Sequence, residues 1–432
     1  MSTAVSPARR REVLDALRRG TVPASGLDLL AVGLDRFITA IDAELDTAAA
    51  GGAAFKAVRG DYGTGKTFFA RWVQQRALDR GFAVAEVQIS EVETPLHRLE
   101  TVYRRVTESL RTSAFPPSAF RSVLDAWLFA VEEDAADETG DSTPEQIDAV
   151  LSARLSDVGA KAAVFPVALR GYLSAVDSGD ETAAAALSAW LAGQPHIGAS
   201  AKRAAGIKGD IDHFLAMAFL QGLLALLRGS RHTGLVIVLD EVETLQRMRT
   251  DTREKALNAL RQWIDEIDTG RYPGLYLLIT GTPAFFDGRA GLQRLPPLAA
   301  RLSTDFSVPG FDNPRAPQLR LTGLDFDKLV EVGIRVRNLY VAGSSDPARV
   351  ADVVDDELVG QVARTLAGSL GVEIAPRLFL RKLVDLLDRV DQFPEFDPRL
   401  IGVIVSEAEL TDAERVAAKA RSADLSADDV EL

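Results

Sequence analysis

The chain of 432 residues contains no cysteine. That excludes a disulfide framework, a thiolate metal centre and a cysteine nucleophile, and it suits a reducing compartment. Histidine is scarce as well. His97, His196, His213 and His232 stand far apart, with no pair at i, i+4, so each reads as a surface or core residue rather than a metal ligand. Long apolar runs are missing. The richest, Phe214 to Leu227, is interrupted by Gln221 and ends at Arg228, well short of the roughly 20 apolar residues that a bilayer requires. The opening MSTAVSPARRREVL has the basic residues of a secretion signal, yet no apolar run comes after them. These absences predict a soluble, cytoplasmic protein with no membrane partner.

An excess of positive charge is also lacking. Lys and Arg number 49 against 62 Asp and Glu, for a net charge of −13, which argues against non-specific coating of nucleic acid. One compact basic cluster exists: Arg9, Arg10, Arg11, Arg18 and Arg19, flanking Val13, Leu14 and Leu17 at helical spacing. It reads as a solvated helix face, with a DNA or partner contact as its rival.

The remainder is ordinary globular material, 47% hydrophobic and 26% charged, with length for two or three domains. Short β-type runs at 54–59, 81–90, 233–240, 275–280 and 318–321 alternate with helical patterns. TGLVIVLD, Thr233 to Asp240, is apolar throughout, as a strand buried on both faces must be. From 96 to 227 the pattern is almost wholly helical, and an acidic patch there (Glu132, Glu133, Asp134, Asp137, Glu138, Asp141) reads as a solvated loop. Pro376 opens a helix through Val390. The polar stretch Thr411 to Leu432 reads as a helix running out into an acidic tail. Strands separated by helices imply an α/β fold, a parallel sheet covered on both sides.

The strongest chemical signal is Gly60-Asp61-Tyr62-Gly63-Thr64-Gly65-Lys66-Thr67, with Phe68 next. It satisfies the phosphate-loop pattern G-x-x-x-x-G-K-[ST] between a strand and a helix. Glycines let main-chain N–H groups turn inward around phosphate oxygens, and the helix after them directs its positive end at the same oxygens. Lys66 supplies a charge for the β- and γ-phosphates, and Thr67 a hydroxyl for Mg²⁺. The second signal is Leu235–Leu239 succeeded by Asp240 and Glu241. It places two carboxylates at the C-terminal edge of a buried strand, where open α/β sheets bind ligands. Asp240 suits Mg²⁺ and Glu241 suits an attacking water, so the expected cofactors are ATP and Mg²⁺. After the strand ending at Thr280 come Gly281, Thr282 and Pro283. Thr280 or Thr282 would sense the γ-phosphate, with Thr280 favoured. Arg301 and Arg377 are candidates for neutralising charge, Arg301 as a finger reaching a neighbouring subunit's nucleotide. A plain surface role is the alternative for each.

These motifs stand in the order found in AAA+ ATPases, which the core resembles, nearest the helicase-loader and origin-recognition branch. More narrowly, ALRRGTVP (Ala16–Pro23), GLDLLAVG (Gly26–Gly33), FKAVRGDYGTGKTF (Phe55–Phe68) and APRLFLRKL resemble the BREX-system ATP-binding proteins, BrxD-like, of bacterial phage defence. The resemblance implies a P-loop NTPase of AAA+ type with a helical lid, working beside helicase, methyltransferase and phosphatase-like components. It also implies that the loop at 22–32 lies near the adenine. The expected layout has four parts: 1–111, the N-terminal helix and first part of the ATPase core; 112–210, a helical insertion; 211–324, the second part of the core; 325–432, the helical lid and acidic tail. The expected function is an ATPase that remodels or loads a partner, such as a helicase, on DNA, as a homo-oligomer and with DNA contacted indirectly. A nucleotide-dependent switch or scaffold with little turnover is the alternative, and a phosphotransferase the least supported.

Overall fold

The computed structural model describes residues 5–136, 143–308, 310–370 and 376–401. The expected tail at 411–432, and Asp137, Glu138 and Asp141 of the acidic patch, lie outside the described residues. The strands are β1 (Ala54–Arg59), β2 (Ala83–Gln88), β3 (Leu235–Asp240), β4 (Leu275–Gly281) and β5 (Gln318–Arg320). The helices before β2 are α1 (Pro7–Arg18), α2 (Asp35–Ala49) and α3 (Lys66–Asp79). Between β2 and β3 come α4 (Leu99–Ser109), α5 (Phe120–Ala135), α6 (Pro144–Arg154), α7 (Ser156–Lys161), α8 (Val164–Asp177), α9 (Glu181–Leu191), α10 (Ala199–Ala204) and α11 (His213–Gly229). After β3 stand α12 (Thr250–Asp268), α13 (Pro283–Asp287), α14 (Pro296–Arg301), α15 (Phe326–Val341), α16 (Pro347–Val353), α17 (Asp356–Leu370), α18 (Pro376–Gln392) and α19 (Pro398–Ile401).

The strands form one sheet in the order β2-β3-β4-β1-β5. The pairings of β3 with β2 and with β4 are parallel, with Ala83 beside Leu235 and Leu235 beside Leu275. Ala57 donates its N–H to Pro317 O at 2.9 Å, and Leu321 donates to Arg59 O at 2.8 Å, which aligns β5 parallel to β1. Every residue of β3 and β4 is buried, as their unbroken apolar runs require. The chain is thus an α/β protein with a parallel five-stranded sheet flanked by helices.

The chain divides into two compact units: Met1–Ile38 with Arg59–Gln75 and Arg320–Leu432, and Thr39–Val58 with Arg76–Leu319. The larger unit holds nearly all of the sheet and α4 to α14. Its core runs from the sheet into the helices between β2 and β3, where Phe219 of α11 meets Tyr103, Phe165 and Trp190 edge-on at 5.9, 4.9 and 5.5 Å. Glu132, Glu133 and Asp134 belong to the last turns of α5 rather than to a loop. The buried stripe Trp127, Val131, Ala135 continues past them at i, i+4 and outweighs their charge. A charged group lies wholly inside this unit. Lys56 of β1 is 1% exposed, and its ammonium lies 2.5 Å from Glu44 Oε1 of α2. It also donates to Ala316 O at 2.6 Å and Pro314 O at 3.2 Å, while Tyr276 of β4 donates to Glu44 Oε2 at 2.7 Å. Burial pushes the Glu44 carboxyl above its usual range, and the Lys56 ammonium opposes that rise.

The smaller unit has its own core. Val13, Leu14 and Leu17 of α1, with Leu30 and Val32, pack against apolar faces of α15, α17 and α18. Arg18 clamps Asp388 of α18 through Nε at 2.7 Å and Nη2 at 2.8 Å. Pro376 stands at the first position of α18, where its fixed φ and missing N–H cost nothing.

Candidate nucleotide site

The smaller unit carries the glycine loop. Arg59 ends β1, and α3 begins at Lys66 itself. Gly63 and Gly65 have φ of +84° and +92°, a region that a Cβ would make costly. Gly60 is required for a different reason: a Cβ there would come within 2.4 Å of Thr64 Oγ1. Thr64 donates that hydroxyl to Asp61 O at 2.9 Å and its N–H to the same oxygen at 3.3 Å, which closes the turn. The first intrahelical bond of α3 runs from Phe69 N–H to Gly65 O at 2.8 Å. The amides of Lys66, Thr67 and Phe68 therefore lie in the first turn, at the positive end of a 14-residue helix. Lys66 is buried; its ammonium donates to Gly60 O at 2.9 Å and Asp61 O at 3.1 Å. Phe68 packs onto the unit's core. In general, a glycine-rich loop leading into a helix N-terminus turns main-chain N–H groups toward anions.

Beside Thr64 is a cavity of about 280 Å³ lined by Val32–Phe37, Leu321–Leu324 and Lys328. Phe37 holds its wall by meeting Phe69 of α3 edge-on at 5.4 Å, and the Arg36 guanidinium covers the Phe37 ring at 4.5 Å. Of the loop at 22–32, Val32 reaches this cavity, and Val22 O accepts from Arg71 of α3 at 2.8 Å. Arg377, near the start of α18, is half-buried and runs beside Gly20, close enough that a methyl group there would touch it. Much of the N-terminal basic cluster is used inside this unit: Arg9 pairs with Asp28, Arg10 donates to Ala342 O at 2.6 Å, and Arg18 clamps Asp388.

The larger unit carries the acidic strand end. Asp240 closes β3 and is 6% exposed. Its Oδ1 accepts the hydroxyl proton of Thr280, which is fully buried in β4, and the N–H of Glu241 at 3.1 Å. The same N–H lies 3.2 Å from Thr280 Oγ1. Glu241 itself adopts φ +60° and ψ +42°, the left-handed region that disfavours side chains. Thr244 secures that turn, donating its N–H and hydroxyl to Glu241 O at 3.1 and 2.9 Å. The half-buried Glu241 carboxylate accepts from Gln88, the last residue of β2, at 3.0 Å. Thr282 is buried one residue beyond β4, at the start of α13, and its side chain does not cap that helix. Arg301 ends α14, its guanidinium taken up by Asp265 and Asp268 of α12 at 3.0 and 3.1 Å.

Sequence reasoning missed Gln88 and most of the cavity. A lone glutamine at a strand end carries no signal; its place beside the Asp-Glu strand becomes visible once β2 pairs with β3 in register, Gln88 opposite Asp240. Residues 5–403 match the family described as BREX system ATP-binding protein BrxC/D. The chain belongs to that family. The BrxC/D match takes in every strand, the glycine loop, the acidic strand end and the helices at 112–210. No curated protein matches this BrxC/D chain. Among its described residues, no helix is long and apolar enough to cross a membrane.

Proposed function

We propose that this BrxC/D-family chain binds ATP with Mg²⁺, hydrolyses it as an AAA+ ATPase, and uses the cycle to remodel or load another component of the defence system in the cytoplasm. The observation that carries the reading is the treatment of the two carboxylates at the end of β3. Asp240 is buried and held by the Thr280 hydroxyl, while Glu241 is kept half-exposed on a strained backbone with its carboxylate tied to Gln88. A strained left-handed residue persists where the surroundings over-determine it, and such strain gathers at functional sites.

By motif chemistry, the loop amides and Lys66 bind the phosphates, Thr67 and Asp240 supply hard oxygen ligands for Mg²⁺, and Glu241 orients and polarises water. A magnesium ion held by these oxygens would supply positive charge to offset that of the phosphoryl group. Thr280 reports on the γ-phosphate through its bond to Asp240. The cavity at Val32–Phe37 accepts the base. Arg377 and Arg301 complete charge neutralisation, Arg301 toward a second copy in a homo-oligomer. The partner is another BREX component, such as a helicase, through which DNA is contacted. The basic cluster, largely spent on Asp28, Ala342 O and Asp388, supports the indirect route.

ATP binding and turnover of the purified chain, with Lys66→Ala and Glu241→Gln, test the reading. Loss of binding in Lys66→Ala and stable retention of ATP in Glu241→Gln are expected. Unchanged affinity in the first variant removes the site. Tight ATP binding with equally slow turnover in wild type and Glu241→Gln makes the chain a nucleotide switch instead.

A further inference from the structure

Tyr62 stands at the third place of the glycine loop, 60% exposed, with its ring centroid 5.1 Å from the Lys66 ammonium. Lys66 is only 8% exposed although its loop is largely open to solvent. Two backbone carbonyls, Gly60 O and Asp61 O, grip the ammonium from within the loop at 2.9 and 3.1 Å, and the ring of Tyr62 lies over the same cation. An aromatic face attracts an ammonium through its quadrupole. A phosphate oxygen seeks that cation too, with the advantage of full charge.

We infer that Tyr62 is a positioning residue that competes with the nucleotide's phosphates for the Lys66 ammonium and so sets the affinity for ATP. The inference rests on the nucleotide-site reading above. The carbonyl contacts fix where the ammonium sits, and Gly63, next to Tyr62, has no side chain to obstruct the ring. When the triphosphate enters, the ring gives way and the cation's partner changes from a π-face to an anion. Whatever the ring contributes to holding Lys66 is lost at that moment and is subtracted from binding. For an exposed cation–π contact, that amounts to about a two- to fivefold weakening of ATP affinity.

The test compares wild type with Tyr62→Ala, Tyr62→Leu and Tyr62→Phe, reading the dissociation constant and association rate of a fluorescent ATP analogue, with Lys66→Ala as the control. Tyr62→Ala and Tyr62→Leu are expected to bind two- to fivefold more tightly, chiefly through faster association, while Tyr62→Phe, which keeps the ring, behaves as wild type. The leucine variant separates the π-face from mere bulk: a wild-type result there overturns the cation–π account. Weaker or unchanged binding in Tyr62→Ala overturns the competition itself. If the analogue binds wild type and Lys66→Ala alike, the nucleotide-site reading fails first, and that outcome is distinct from the other two. Melting temperatures of the variants confirm that this exposed position leaves the fold intact.

Discussion

Gln88 donates its side-chain amide to Glu241 Oε2 at 3.0 Å, across the pairing of β2 with β3. The bond joins a residue with no motif of its own to the carboxylate proposed to handle water. It also restrains a side chain whose backbone is held at φ +60°. Gln88→Ala should lower kcat for ATP about tenfold, because the carboxylate is no longer aimed, with affinity within about twofold. Steady-state kinetics beside equilibrium binding checks the split. Glu241→Gly should abolish turnover yet raise stability by about 1 kcal/mol, since glycine accepts the left-handed backbone freely. Urea denaturation reads that gain, and a loss instead removes strain from the account.

Thr280 and Thr282 are separated by the same kind of measurement. Thr280 is fully buried and bonded to Asp240; Thr282 lies beyond the strand. Thr280→Val keeps shape but leaves the buried Asp240 oxygen short of a donor, at a cost of about 1–3 kcal/mol. Its turnover should need more Mg²⁺, as an Asp240 that has lost its anchor coordinates poorly. Thr282→Val should shift neither by more than experimental scatter. Equal effects from the two threonines would contradict the assignment of Thr280.

The Lys56–Glu44–Tyr276 group yields a pH dependence whose sign is determined. Lys56→Met leaves the half-buried Glu44 carboxylate without its counter-charge and with Tyr276 as its remaining donor, a loss of about 1–3 kcal/mol at neutral pH. The Glu44 carboxyl is already raised by burial, and removing Lys56 raises it further. Above its folded pKa the variant carries a half-buried anion; below it the proton is taken up and the deficit closes. The stability gap to wild type, measured by urea denaturation, should therefore shrink as pH falls from 8 to 5. Adding Glu44→Gln should recover most of the loss at pH 8. A gap that widens in acid would show that Glu44 is not the group responsible.

Arg301 is tied to Asp265 and Asp268, pairs in which all three side chains are well exposed to solvent. Exposed pairs of this kind contribute little, about 0–1 kcal/mol. Arg301→Ala should accordingly leave the melting temperature almost unchanged. If the arginine serves a second copy, turnover should fall about a thousandfold, and only at concentrations where the wild-type chain self-associates. A stability loss without a kinetic one would assign Arg301 to the α12–α14 contact alone.

The elements that were legible in the sequence are those whose chemistry is contiguous. Gly60–Thr67 must be consecutive because one turn of chain wraps one phosphate group. Leu235–Glu241 must be consecutive because a buried strand delivers the carboxylates at its end to the sheet's edge. β3 and β4 announced themselves by their long apolar runs, β1 and β2 more faintly by β-type residues around Lys56 and Glu86, and Pro376 marked the start of α18. The cavity was not legible: residues 32–37 and 321–328 meet only through the fold, and neither stretch carries a pattern of its own. Gln88 was silent for the same reason. The acidic patch misled because local charge suggested a loop, while the stripe through Trp127 and Val131 was decisive for the helix.

The core of the smaller unit joins Val13–Val32 to Leu329–Val390, and the glycine loop is threaded between them at 59–75. During synthesis, the first of these segments leaves the ribosome long before its partners exist. Phe68, in the first turn after the loop, therefore gains the core it packs on only when nearly the whole polypeptide has emerged. Truncated products ending before α15 would carry the full glycine signature and lack most of that core.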